Sequence, residues 1–394
     1  MQTFLAIIAL ACLGLVMYSY AIYPLLLIAT AATVQMGRDI RYVLGKRDTR
    51  KTAVHPLPSI AVVISAFNEE RFLQRRINNV LACEYPRDLL RVYIGSDGSS
   101  DATPQILSAQ TDQRVVPHAF ANNRGKASVL NDLVLRTTEE ILVFSDANTF
   151  FEPDALLHLV GHFQNPQVGG VSGELRLTTP GGDNQDSLYW RVEQLLKFFE
   201  GRIGGLLGAN GAIYAIRKTL WKPIAADTIC DDFCIAMNVA AAGHRLVYDP
   251  NAIAQEETPH TISEEYHRRI RIGIGNFQAL FRFPEYALRT NWATRFTYLS
   301  HKVLRWITPH LVLMALVASS LLAWASHAWL TLAALVLFGV ILGYATYRLT
   351  HQGRRLPKIL RLVAFFYALN EAFLLASWKY LRGDFRGSWR RTAR

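Results

Sequence analysis

Three short apolar runs, Ile60–Ser65 (IAVVIS), Arg91–Gly95 (RVYIG) and Ile141–Ser145 (ILVFS), are each followed closely by an acidic residue: Glu69, Asp97 and Asp146. Helix-like segments lie between the runs. Strands alternating with helices in this way predict a parallel sheet whose ligands bind outside the carboxyl ends of the strands. The three carboxylates then share one edge of one sheet, where they suit a metal ion or the hydroxyls and base of a nucleotide. Two common nucleotide-binding designs are excluded. A dinucleotide turn needs G-x-G-x-x-G after the first strand, and no glycine lies between Ser59 and Val80. A P-loop fails at Gly125-Lys126, which has Phe120 in place of the leading glycine and Ala127 in place of the magnesium-binding Ser or Thr.

The apolar residues gather at the two ends of the chain. Phe4–Val34 holds no charged residue, enough to span a bilayer once, since about 20 apolar residues suffice. Only Gln2 and Thr3 follow Met1, so no basic n-region marks a signal peptide, and an uncleaved anchor is expected. Val303–Ala325 and Ala328–Tyr347 are two further spans. Leu362–Trp378 is shorter and carries Asn370 and Glu371 near its middle, so it reads as a helix at or in the membrane with its crossing left open. Arg38, Arg41, Lys46, Arg47, Arg50 and Lys51 follow the first span; by the positive-inside rule the amino terminus is outside and the large middle region cytoplasmic. Arg348, Arg354, Arg355 and Lys358 agree with that orientation, while Arg382, Arg386, Arg390, Arg391 and Arg394 argue against a crossing by 362–378. The expectation is a multi-pass protein of the cell (inner or plasma) membrane. A net charge of +11 fits anionic lipid and anionic substrates. No basic run is interleaved with stacking aromatics in the soluble part, so nucleic acid is not an expected partner. Cys12, Cys83, Cys230 and Cys234 form no CxxC pair and read as core residues.

Within the middle region, Asn68-Glu69-Glu70 follows the first strand and Asp97-Gly98-Ser99-Ser100-Asp101 the second, the latter a turn leading into a helix start. Asn122–Lys126 sets two cations and a glycine beside a helix amino terminus, which favours phosphate. Asp146-Ala147-Asn148 offers two oxygen ligands two residues apart, able to share a divalent cation that also holds a diphosphate. Asp231-Asp232 is flanked by Cys230, Phe233 and Ile235, predicting a partly buried acidic pair with one raised pKa. His158 and His162 are four apart but lack the glutamate of H-E-x-x-H, and read as structural. The aromatics and basics of Phe283–Trp306 suit a helix lying on the bilayer or packing under the domain.

These pieces in this order resemble the family 2 glycosyltransferases, membrane-bound inverting enzymes with the GT-A fold. Further matches are Leu130-Asn131, Gly208–Arg217 (GANGAIYAIR), Gly243–Pro250, Glu256-Glu257 and Arg268–Arg271. The resemblance implies an α/β fold, a doubly wound, mostly parallel nucleotide-sugar transferase domain flanked by transmembrane helices. It divides the chain into an anchor (1–36), a basic linker (37–58), a cytoplasmic GT-A domain (59–282), an interfacial amphipathic helix (283–302), and carboxy-terminal membrane helices with a basic tail (303–394).

It also implies roles. Glu69, Asp97, Lys126 and Asp146 would bind a nucleotide-sugar donor, a uridine one by expectation, with Asp146 and Asn148 holding Mg²⁺ or Mn²⁺. Asn210 and Gly211 would line the acceptor side. Asp232, with Asp231, would take the acceptor proton, and Arg268 and Arg271 would stabilise the departing nucleoside diphosphate. Two departures stand out. Asn148 replaces a second metal-binding aspartate, and the Q-x-x-R-W of processive synthases is absent, with Arg268 at the Gln position and Ile272 at the Trp position. The expected activity is addition of one or a few sugars to a lipid-linked or saccharide acceptor in envelope or exopolysaccharide synthesis. The alternatives are a processive polysaccharide synthase and a non-catalytic membrane scaffold. The sequence names no protein partner.

Overall fold

In the computed structural model, residues 1–45, 56–178, 187–257, 262–354 and 356–385 are described. Lys46, Arg47, Arg50, Lys51, Arg355, Arg386, Arg390, Arg391 and Arg394 lie outside them. The three apolar runs form strands as expected: β1 (Ile60–Ala66), β2 (Leu90–Asp97) and β4 (Ile141–Asp146), with β3 (Val115–Phe120) beside β2. Short β5 (Thr149–Phe151) and the later β6 (Val168–Thr178), β7 (Tyr214–Arg217) and β8 (Arg245–Glu257) complete a sheet of order β3-β2-β1-β4-β7-β6-β8-β5. Strands β3, β2, β1 and β4 are mutually parallel and β6 is parallel to β8, whereas β7 and β5 run against their neighbours. The sheet is therefore mixed, because β5 and β7 add strands that return against the parallel block.

Alternation along the buried strands sends side chains to two helical layers. Ile60, Val62 and Ile64 of β1 and Val143 of β4 meet Leu73, Ile77, Leu107, Leu156 and Leu159. Those residues lie on helices α3 (Leu73–Leu81), α4 (Thr103–Ser108) and α6 (Ala155–Gly161). On the other face Ala61, Val63, Leu142 and Phe144 meet Leu130 of α5 (Lys126–Val134) and Ile235 and Val239 of α8 (Asp231–Ala241). These are the helices that matter for chemistry. Asp146 follows Phe144 by two and shares its face, and α5 and α8 both start at that edge. Helix α7 (Ser187–Ile203) precedes β7.

Helix α3 carries an arginine inside its apolar stripe. Leu73, Arg76, Ile77 and Val80 are its buried positions, and Arg76 is 0% exposed. Its guanidinium lies 4.0 Å over the Phe151 ring and donates to Asn79 Oδ1 at 2.7 Å and Ser145 Oγ at 2.8 Å. Burial lowers its pKa to about 9. Arg76→Ala leaves a cavity and strips a donor from Ser145. The expected loss is about 2–4 kcal/mol of stability, read as a lowered urea midpoint.

Residues Thr30–Thr258 with Pro284–Thr297 form one compact unit; Met1–Ala29, Pro259–Phe283 and Tyr298–Arg394 form another. The stretch 283–302, of which Pro284–Thr297 belong to the first unit, is broken where a single amphipathic helix is expected. Pro284 opens a four-residue α10 (Glu285–Leu288), and Asn291 caps a restarted α11 (Trp292–Thr297) by accepting from Thr294 N–H at 2.9 Å. A π-helical turn, Tyr298–Val303, follows. Tyr286 is 0% exposed and its hydroxyl reaches Cys234 O and Asn238 Oδ1 of α8. Part of the segment thus packs into the domain.

The second unit is helical. Helix α1 (Gln2–Met17) continues through a π-helical turn into α2 (Tyr23–Gly45), of which residues 23–29 belong to this unit, and Cys12 packs against Leu311 and Ala315 of α12 (Leu304–Leu322). Helix α13 (His327–His351) and helix α14 (Lys358–Leu381) follow α12. Four helical stretches, Gln2–Leu44, Trp292–Leu322, His327–His351 and Lys358–Leu381, are long and apolar enough to cross a membrane. The last contains the segment 362–378, extended by a turn at its start. Helix α9 (Ile262–Arg282) lies along α14, with Gly273 against Ala376 and Phe281 stacked on Tyr380 at 5.4 Å.

Candidate active site

The loops after β1 and β2 are stitched together. Asn68, at φ 56°, accepts from Ser100 N–H at 2.8 Å, Asp101 accepts from Glu70 N–H, and Glu70 accepts from Ala102 N–H. Gly98 has φ +66°, and a Cβ there would come within 2.4 Å of Asn123 N. Only glycine lets this turn approach the loop after β3 so closely. Asp97, at the end of β2 and 1% exposed, accepts from Arg124 N–H at 2.9 Å and Gly125 N–H at 2.8 Å. Its carboxylate thus holds the turn that begins α5, and takes two amide donors that the sequence pattern offers to phosphate. Glu69 is half-buried, its N–H hydrogen-bonded to Thr103 Oγ1.

That turn delivers Lys126 to the centre of the site. Its Nζ is 2.9 Å from Asp146 Oδ1 and 3.1 Å from Asp231 Oδ2. The second contact is an ion pair off the hydrogen-bond direction, since Asp231 Oδ2 is buried without a hydrogen-bond partner. Burial depresses the Lys126 pKa, but Asp146, Asp231 and Asp232 together outweigh it and the net shift is upward. Asp232 sits at the first turn of α8 and accepts from Phe233 N–H at 2.8 Å. Burial and then Asp231 lift its carboxyl to about 6, against the opposing pull of Lys126 and the Phe233 N–H. Gly211 abuts the same group: a Cβ at 211 would be 3.1 Å from Asp232 Oδ2. Asn210 N–H is fixed on Ser172 Oγ at 3.0 Å, which sets the path of this segment.

The structure therefore brings Asp97, Lys126, Asp146, Asp231, Asp232 and Gly211 into one edge cluster. Arg268, exposed, and Arg271, half-buried, lie on α9 of the helical unit. Asn148 donates its Nδ2 to Glu256 Oε1 at 3.0 Å. Its amide oxygen and the third-exposed Asp146 carboxylate are hard oxygen donors that fit Mg²⁺ or Mn²⁺, with a diphosphate completing the shell. Among the described residues no group of three His, Cys, Asp or Glu side chains could hold a metal alone. His162 is instead paired with Asp249 at 2.8 Å and His158 with Asp154 at 3.3 Å.

Several supporting residues escaped the sequence reading. Ser145 Oγ donates to Ala212 O at 2.7 Å and accepts from Arg76, joining β4 to the glycine segment. Arg76 had a legible sign, a cation at the apolar spacing of α3. Glu256 had none beyond its place in an acidic pair.

A family model described as glycosyltransferase like family 2 matches residues 58–275. The chain belongs to that family. Its sheet domain has the GT-A fold. Poly-beta-1,6-N-acetyl-D-glucosamine synthase of Staphylococcus aureus (strain COL) is 24% identical over 258 residues, 62% of this chain and 60% of that protein. The synthase of the same name from Staphylococcus epidermidis is 26% identical over 242 residues, 59% of this chain and 58% of its own length. The chain thus spans about 60% of the curated relatives it matches. Among solved structures, the mannosyltransferase PcManGT from Pyrobaculum calidifontis, in complex with GDP-Man and Mn²⁺, aligns with a TM-score of 0.68 at 21% identity, covering 95% of this chain and 99% of that one. At that identity the likeness speaks for the fold.

Proposed function

We propose that this glycosyltransferase moves a sugar from a nucleotide-sugar donor to a hydroxyl of a lipid-linked or saccharide acceptor, with inversion at the anomeric carbon. The observation that carries this reading is the single cluster of Lys126, Asp146, Asp231 and Asp232, with the Gly211 backbone against Asp232 Oδ2. Lys126 and the rim carboxylate Asp146 are where a diphosphate would be engaged. When bound, a divalent cation held by Asp146 and Asn148 would neutralise diphosphate charge. Asp232 is the base. The acceptor O–H proton passes to its carboxylate while the acceptor oxygen bonds the anomeric carbon and the bond to the diphosphate breaks. Its raised pKa suits this, because a base works best with a pKa near the operating pH. Arg268 and Arg271 are read as cations for the leaving diphosphate.

Four apolar helices support a multi-pass membrane protein, and the basic residues that follow the first span support a cytoplasmic GT-A domain. A saccharide polymer is a second reading, favoured by the polymer named in the Staphylococcus relatives. The absent Q-x-x-R-W motif weighs against it. The test is release of nucleoside diphosphate by the detergent-solubilised chain from UDP-N-acetylglucosamine, UDP-glucose and GDP-mannose, with Mg²⁺ or Mn²⁺ and with EDTA. Turnover of one donor is expected, slowed by EDTA, and gel analysis of the transferred product separates short additions from polymer. Neither turnover nor nucleotide binding across the panel would overturn the reading in favour of a scaffold.

A further inference from the structure

One buried polar side chain in the core beneath the carboxylate-bearing elements has no part in the reaction above. Tyr214 opens β7, pairs with Phe144 across the β4–β7 ladder and stacks on its ring at 5.0 Å. It packs in the same apolar cluster as Ala127, next to Lys126, and Ile235, one helical turn after Asp231. The elements that carry Lys126, Asp146 and Asp231 thus all line the core in which Tyr214 sits. Tyr214 is 1% exposed, yet its hydroxyl has no hydrogen-bond partner. A phenylalanine would fill the same stack and bury no polar atom. Buried hydroxyls are nearly always paired, so a lone one calls for a reason. The cluster also holds the complementary orphan, Asp231 Oδ2, which is buried, ion-paired to Lys126 and without a hydrogen bond.

We propose that Tyr214 is a positioning residue for the base, its hydroxyl donating to the Asp231 carboxylate when Lys126 turns to the donor diphosphate. This rests on the reading of Asp232 as the base. Among the described residues, the charged groups that act on Asp232 are Asp231 beside it on α8, Lys126 on α5 and Asp146 on β4. Asp231 raises the Asp232 pKa and Lys126 lowers it. Once Lys126 is engaged by phosphate, a hydroxyl donor on Asp231 offsets the repulsion that would otherwise hold a proton on Asp232. Burial, reinforced by Asp231, Asp232 and Asp146, keeps the Tyr214 phenol protonated well past neutral pH, so it is available as a donor.

The test is Tyr214→Phe in the full solubilised chain, assayed against pH with whichever of the three nucleotide sugars the wild type turns over. Binding of UDP or GDP is measured by calorimetry, and melting by fluorescence. The expected result is a fall in kcat of about tenfold, with KM for the donor unchanged. The acidic limb of the rate profile moves up by about half a pH unit or more. Nucleotide affinity is unchanged and the melting temperature is equal or higher. In an Asp231→Asn background the same substitution should add little, because the two side chains act as one unit. A wild-type kcat with an unmoved acidic limb overturns the proposal. So does a lowered melting temperature with an unmoved limb, which marks a structural hydroxyl, and so do losses that simply multiply in the double variant. Retained activity in Asp232→Asn overturns the base assignment instead, whatever Tyr214→Phe does.

Discussion

Asp232→Asn is expected to lower turnover by about 10²–10⁴-fold while leaving nucleoside diphosphate binding intact, because it removes a general base and keeps its shape. The same substitution is expected to stabilise the domain above pH 6. Burial and Asp231 raise the folded-state pKa of Asp232 to about 6, from an unfolded value near 3.9. A group with a raised folded pKa binds its proton more tightly in the native state. Its contribution is fully present below about pH 4 and is lost as pH rises through about 6. Wild-type stability should therefore decline across that window relative to Asp232→Asn. Thermal melts of both proteins from pH 4 to 8 give the check, and the curves should separate between about pH 4 and 6. In wild type, kcat/KM should fall off below about pH 6, as the base becomes protonated. Parallel melting curves would mean that Asp232 is not buried beside like charge as described.

Much of this site could be read from residue order alone, and the reason is physical. A strand buried on both faces shows as an unbroken apolar run, so IAVVIS and ILVFS located β1 and β4 to within a residue at their carboxyl ends. Acidic residues then follow at the sheet edge: Asp97 and Asp146 end β2 and β4, and the Asp231-Asp232 pair begins α8. What escaped the sequence is direction. Nothing in D-G-S-S-D says that Asp97 points back into the Arg124 and Gly125 amides rather than outward to a ligand. Nothing in GANGAIYAIR says that the tyrosine hydroxyl is buried without a partner while the second glycine abuts Asp232. Strand β5 is only three residues long and pairs with residues 254–256 of β8 far along the chain, beyond any periodicity argument. The stretch 283–302 stays open in the sequence because its aromatic and basic content suits an interface as well as a packed wall. In the structure Tyr286, Thr294 and Thr297 of this stretch are buried.

Lys126→Met is expected to cost activity on the order of 10²–10³-fold, the scale of removing one preorganised charge-stabilising donor. Lys126 contributes in two ways that the measurement can separate. It lies between Asp146 and Asp231, so its loss leaves three carboxylates facing one another without a cation. Lys126 normally lowers the Asp232 pKa, so in the variant that pKa rises beyond about 6 and the acidic limb of kcat/KM shifts upward. Stability falls as well. The Lys126 pKa is raised in the folded state, so its stabilisation is complete below the ordinary lysine value of about 10.4 and is lost only as pH climbs through the higher folded value. At neutral pH the whole contribution is therefore at stake. The expected signature is a lowered melting temperature at pH 7 that recovers in part at pH 5, where protonation relieves the facing carboxylates. If Lys126 serves only the diphosphate, binding and turnover fall but the melting curve and the acidic limb stay where they are in wild type. Lys126→Arg keeps the charge but not the compact ammonium, and should restore stability more fully than turnover.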